Sequence, residues 1–474
     1  MHTACNQPTL AFDRLVERRV EASFDAGRVT SDGGALLLRD LARRLDLFGR
    51  VARCFRDDRA PELVEFPLAD LLAQRVLGIA LGYEDLNDHD HLRDDALLAC
   101  AAGREDVTGA HRRREADRGH ALAGKSTLNR LEWLASDVAT GSRYHKVTYD
   151  AAKLEDLFVE LFLEAHAAPP AEIILDFDAT DDPLHGRQEG RFFHGYYGHY
   201  CYLPLYVFAG DHLLVAKLRT ADRDGADGAL DELKRLVSRI REAWPSTRIV
   251  LRGDSGFCRD ALMSWCEDND VSYILGLARN VRLSRAIETE MAEARAAHEA
   301  TGTASRVFRD FRYSTLDSWT RERRVVGKAE KLDGKENPRF VVTSLAADQW
   351  AARALYEDLY CARGDMENRI KEQQLQMFAD RLSTAKMHGN QLRLWLSSLA
   401  YVLLDTLRRV ALAGTELAQA EVGSIRLRLL KIGGIVRVSV RRVHVALSSV
   451  HPGRELFARA LDHIKTRLKP RRVT

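Results

Sequence analysis

The feature that most limits what this chain can become is the order of patterns between Ala171 and Leu277. A strand pattern, AEIILDFDATDD, opens it. An aromatic, Gly-rich stretch, RFFHGYYGHYCYLPLYVFAG, and then DHLLVAKLRT read as two further strands of a meander. DGALDELKRLVSRIREAW, bounded by Gly228 and Pro245, has helical apolar spacing. RIVLRGDSGF reads as a buried strand that ends in Asp254, RDALMSWCEDND as a helix, and VSYILGL as a last strand. Three strands, helix, strand, helix, strand describes a layered α/β core in which helices cover a sheet. Side chains alternate along a strand, so Asp176 and Asp178 face the same way.

That order is the ribonuclease H-like topology, with one acid on the first strand, one just beyond the fourth and one on a later helix. The later helix is YCARGDMENRIKEQQLQ, Tyr360 to Gln376. At about 100° per residue, Tyr360, Arg363, Glu367, Lys371 and Gln374 share one face, beside an apolar stripe of Leu355, Leu359, Met366 and Ile370. The stretch between Asp254 and Glu367 is too long for a simple loop. Within it RVFRDFRYSTLDSW, RERRVVGKAEKL and PRFVVTSL alternate like strands. The expected fold is therefore α/β: a ribonuclease H-like catalytic core over 170–302 and 346–380, a β-rich insertion over 303–345, and mostly helical N-terminal and C-terminal regions.

A chain of 474 residues exceeds one ordinary core. Residues 1–150 read as short amphipathic helices, which suit contact with a DNA groove, interrupted by an Arg-rich mobile loop from Arg104 to Gly119. Residues 381–474 read as long helices, then a basic β-hairpin around Gly433 and Gly434, then a tail bearing Lys465, Arg467, Lys469, Arg471 and Arg472. The formal net charge of +2 hides this unevenness, and a local basic surface matters more to a polyanion than the total. The seven cysteines form no CxxC pair, which argues against a zinc or disulfide framework and fits a reducing cytosol. His185, His194 and His199 match no common zinc spacing. There is no basic-then-apolar signal pattern, and the most apolar run, Leu394 to Leu404, is too short for a bilayer. No membrane contact and a cytoplasmic, nucleoid-associated location are expected.

In LDFDATDD, RGDSGF, YCARGDMENRIKE and the β insertion, the chain resembles the DDE transposases of bacterial insertion sequences, in the subgroup with a Tyr-Arg-Glu-Lys signature. The resemblance implies a catalytic triad of Asp178, Asp254 and Glu367. Asp178 is preferred over Asp176 because Ala-Thr follows it, as in the family's Asp-small-Thr pattern. It implies two Mg²⁺ (or Mn²⁺) ions held by those acids, a donor set suited to hard cations. Tyr360, Arg363 and Lys371 are the implied DNA contacts; Gln374 stands where the signature has Lys, and Lys371 is the nearest substitute. Trp319 of the insertion is a candidate for stacking on a flipped base. The implied partners are double-stranded DNA, both transposon ends and target, and a second copy of the chain in a homodimer on DNA. The implied activity is cleavage at terminal inverted repeats followed by strand transfer. A DNA-binding regulator without catalysis and a structure-specific nuclease of the same fold are the alternatives.

Overall fold

The computed structural model describes residues 9–135, 142 and 144–469. The chain divides into two compact units: Ala151–Leu375 with Ala379–Ser398, and Met1–Asp150 with Gln376–Phe378 and Leu399–Thr474.

The first of these is a mixed α/β body. It begins with α1 (Ala151–Glu164), β1 (Glu172–Ala179), β2 (Leu205–Ala209) and β3 (His212–Lys217). α2 (Ala229–Ala243), β4 (Arg248–Gly253), α3 (Asp260–Asp268) and β5 (Ser272–Leu277) follow. α4 (Glu288–Thr301), β6 (Ser305–Tyr313), β7 (Arg323–Leu332), β8 (Arg339–Thr343) and α5 (Gly364–Gln376) come later in the chain. The central sheet runs β3-β2-β1-β4-β5-β8-β7-β6. β1, β4 and β5 are parallel to one another and β2 is antiparallel to β1 and β3, the ribonuclease H-like order expected from the sequence.

The strands of the insertion extend this same sheet: β8 pairs with β5, and β7 and β6 follow, all antiparallel. Arg323 of β7 fixes the extension from one face, donating to Asp260, Ser264 and Glu267 of α3. One face of β1 presents Ile173, Leu175 and Phe177 to the core, where they join Leu233, Leu236, Val237 and Ile240 of α2. Each such side chain removed from water contributes roughly 1.5–3 kcal/mol. The opposite face of β1 carries Asp176 and Asp178, level with Phe208 and Tyr206 of β2.

In the other unit the helix Leu68–Leu81 is buried nearly all round. A hairpin of Gly434–Ser439 and Arg442–Leu447 pairs with Val29–Thr30, so C-terminal and N-terminal segments share one sheet. Its turn falls at Val440 and Arg441; the expected turn pair, Gly433 and Gly434, instead leads into the first strand, where Gly434 lies tight against Leu447. The Arg-rich stretch expected to be mobile is pinned. Arg104 donates to Ala121 O, Glu65 O and Asp70, and Arg112 to Glu65 and His120 O. Both guanidiniums also lie over Phe66. Five donors on one planar group let each Arg gather several loop acceptors. Arg471 and Arg472 of the basic tail lie outside the described residues. Among the described residues no helix is long and apolar enough to cross a membrane.

Candidate active site

β4 lies parallel to β1 with Arg252 opposite Asp176 and Gly253 opposite Phe177. Asp254 directly follows Gly253 and Asp178 directly follows Phe177, so the two acids leave the last paired position of neighbouring strands side by side. Asp254 turns the chain: its Oδ1 accepts from Gly256 N at 2.8 Å and caps the short turn Ser255–Phe257. The Asp178 carboxylate, at the end of β1, lies 3.6 Å from the Arg363 guanidinium. Arg363 in turn donates to Glu367 on the first turns of α5. Burial pushes the Asp178 carboxyl up to about 7; Arg363 opposes that shift, and the charges of Asp254 and Glu367 add to it. Three carboxylates from three separate elements thus act on one another around one cation.

Asp176, the other acid on that face, is engaged elsewhere. It is buried and accepts a two-pronged bond from Arg252, whose Nη2 lies 2.7 Å from Oδ2. The same guanidinium donates to Leu359 O and Ala362 O in the segment leading into α5. This changes the expected helix. The chain forms a wide turn over Leu355–Tyr360, a tight one over Cys361–Arg363, and an α-helix only from Gly364. An arginine that captures carbonyls of a helix competes with the regular ladder and favours such irregular turns. Arg252 therefore ties β1, β4 and the approach to Glu367 together, a role the sequence reading missed. The signal was its place two residues before Asp254 on a strand parallel to β1.

Tyr360 is packed beside the site: its hydroxyl and the Asp254 turn both close on the bare Cα of Gly276 in β5. A Cβ on Gly276 would stand 2.6 Å from that hydroxyl and 2.8 Å from Ser255 N. Gln374 donates to Asp181 O at 3.1 Å and to Asp182 Oδ1 at 2.8 Å, and so fastens α5 to the turn after β1. Lys371 projects into solvent one turn beyond Glu367. Trp319, between β6 and β7, stands edge-on to Tyr313 at 5.7 Å with the Arg323 guanidinium over its ring at 5.5 Å. The geometry brings together Asp178, Asp254, Glu367, Arg363 and Tyr360; Lys371 and Trp319 are not drawn into that group. Among the described residues no three His, Cys, Asp or Glu side chains converge into a ready metal cage. The donor set nevertheless fits a hard divalent cation, because it is all carboxylate and Asp178 is penalised for its charge by burial and two like neighbours.

The family model for the transposase DDE domain group 1 matches residues 12–469. The chain belongs to this family. Among solved structures, it is similar to a piggyBac transposase synaptic complex with hairpin DNA, determined by cryo-EM. The identity is 14% and the TM-score 0.39, over 84% of this chain and 80% of that one. No curated protein matches the chain. The chain is thus a transposase by family.

Proposed function

We propose that this transposase cuts DNA at the ends of its own element with Asp178, Asp254 and Glu367 and joins the freed 3′ ends to target DNA. The observation that carries this is the meeting of those three carboxylates, from β1, the end of β4 and α5, around Arg363. The three acids would hold Mg²⁺ or Mn²⁺, two ions in all, which supply an activated water and a stabilised leaving oxygen.

The chain's own residues have distinct tasks in this reading. Asp178, whose charge is penalised by burial and by Asp254 and Glu367, gains most from a bound cation. Arg363, which spans Asp178 and Glu367 in the protein alone, is free to turn its fork to a phosphate of the DNA once those acids are otherwise engaged. Tyr360 steadies the Asp254 turn from the side of Gly276. Lys371 is available for a phosphate further along the strand, and Trp319 for a base at the edge of the insertion.

End recognition is assigned to the other unit. An open cleft of about 720 Å³ there is lined by Arg59, Arg93, Arg113, Arg114 and Arg130, alongside Glu65, Asp90 and Asp117. Arg437, Arg441 and Arg442 of its hairpin are exposed. Such basic surfaces suit the phosphate backbone of double-stranded DNA. Joining two ends calls for two active sites, so the working form is a homodimer on DNA, associated with the nucleoid.

The test is cleavage of a duplex carrying the DNA that flanks the coding region. Nicking at the element's end with Mg²⁺ or Mn²⁺, and none with EDTA, is expected. Cutting that follows DNA shape and ignores the end sequence would instead identify a structure-specific nuclease. Tight binding to the end without any cutting would identify a regulator.

A further inference from the structure

Directly after Asp178 the chain forms a small sheet outside the main one. Phe192–His194 pairs with His199–Tyr202, which also pairs with Asp182–Pro183. Its surface is unusually aromatic. Phe192 is 42% exposed, Phe193 57%, Tyr196 87% and Tyr200 45%. Phe193 and Tyr200 stand directly opposite each other, ring centroids 5.6 Å apart, and the Arg191 guanidinium lies 4.4 Å above the Tyr200 ring. Clustered exposed rings on a water-facing surface mark a binding site more often than scattered ones do.

Two observations identify the occupant. The first is charge: the Arg191 guanidinium lies over the Tyr200 ring, while Asp181 and Glu189 each face a cationic or imidazole partner. Asp181 lies 2.7 Å from His199 Nε2, and Glu189 3.7 Å from Lys386. Flat rings beside a guanidinium match the bases and phosphates of an unpaired strand. The second is position. Tyr197, at the hairpin tip, packs with Ala179 onto Cys201, Leu203 and Ala221, and Ala179 directly follows Asp178. Burial pushes the Tyr197 hydroxyl up to about 12, and the charges of Asp181 and Asp178 add to that shift. The face of the hairpin that carries Tyr197 and Cys201 thus rests beside the end of β1, while Phe193 and Tyr200 cover its outer face.

We infer that the outer face of the Phe192–Tyr200 hairpin is a stacking platform for unpaired nucleotides of single-stranded DNA. That the bound strand is one this protein also cuts rests on the DNA-cleaving reading of the Asp178 site; the stacking surface does not. Rings of this kind bind any base, because every base presents a π-face, so the platform holds the strand without reading its sequence.

The experiment measures binding of the full chain, in EDTA, to a labelled short oligothymidylate and to a duplex of matching length by fluorescence anisotropy. Phe193→Ala/Tyr196→Ala should weaken oligothymidylate binding by roughly tenfold to a hundredfold and leave duplex binding within about twofold. Phe193→Trp/Tyr196→Trp should restore it. Both positions are exposed, so the variants should melt as the parent does. The inference is overturned if the wild type does not bind oligothymidylate, or if the alanine pair weakens both probes alike or neither. It is equally overturned if that pair loses only self-association in sedimentation, which would assign the rings to a second copy of the chain. A protein that holds oligothymidylate through these rings yet cuts no DNA would refute the cleavage reading and leave the platform standing.

Discussion

At the scale of single residues, the site depends on two positions that carry no chemistry of their own. Arg252 is buried and serves Asp176 and two carbonyls at once. Arg252→Met leaves Asp176 buried without its partner, a loss of about 3–5 kcal/mol, which urea unfolding will read directly. Pairing it with Asp176→Leu should recover much of that stability, since an apolar pair removes the stranded charge. Gly276 leaves room for both Tyr360 and the Asp254 turn. Gly276→Ala should cost about 1–3 kcal/mol and lower DNA cleavage by displacing that turn. Adding Tyr360→Phe should restore only part, because the clash with Ser255 N remains. The candidate acids Asp254 and Glu367 can be picked out of the sequence because each lies in a local pattern. Arg252 and Gly276 cannot, because what they touch comes from distant strands and becomes visible only with the sheet register.

At the scale of elements, α5 is the piece on which the site turns, and it is fastened by Gln374 rather than by a lysine. Its partner Asp182 is fully buried, and burial pushes that carboxyl up to about 8. The folded protein thus keeps the Asp182 proton where the unfolded chain has released it, so this group's contribution to stability falls as pH rises from about 4 to about 8. Asp182→Asn has no proton to lose. The stability of that variant relative to the parent should therefore climb across the same window in urea unfolding, and parallel curves would contradict the assignment. The elements themselves were well marked. Period-two alternation and the Gly228 and Pro245 boundaries gave the core strands and α2 close to their observed positions. The irregular turns before Gly364 could not be read the same way, since the 100° spacing of Tyr360, Arg363 and Glu367 is also consistent with an unbroken helix. What breaks it is the hold of Arg252 on the carbonyls of Leu359 and Ala362.

At the scale of the whole molecule, a chain with almost no net charge divides its labour between an acidic site and basic surfaces. The order of elements from Ala171 to Leu277 was enough to anticipate the sheet. It was not enough to show that the C-terminal hairpin pairs with Val29–Thr30, because hydrophobic alternation reports that a strand exists and not which distant edge it joins. Nor did it show that the insertion lengthens the central sheet. The central claim is that three carboxylates on one sheet end and one helix cut DNA, and alanine substitution tests it most directly. Asp178→Ala, Asp254→Ala and Glu367→Ala are each assayed for Mg²⁺-dependent nicking of a duplex bearing the element's end, with binding to the same duplex followed in parallel. Each variant should bind as the parent does and produce no nicked strand; full nicking by Glu367→Ala would contradict the account.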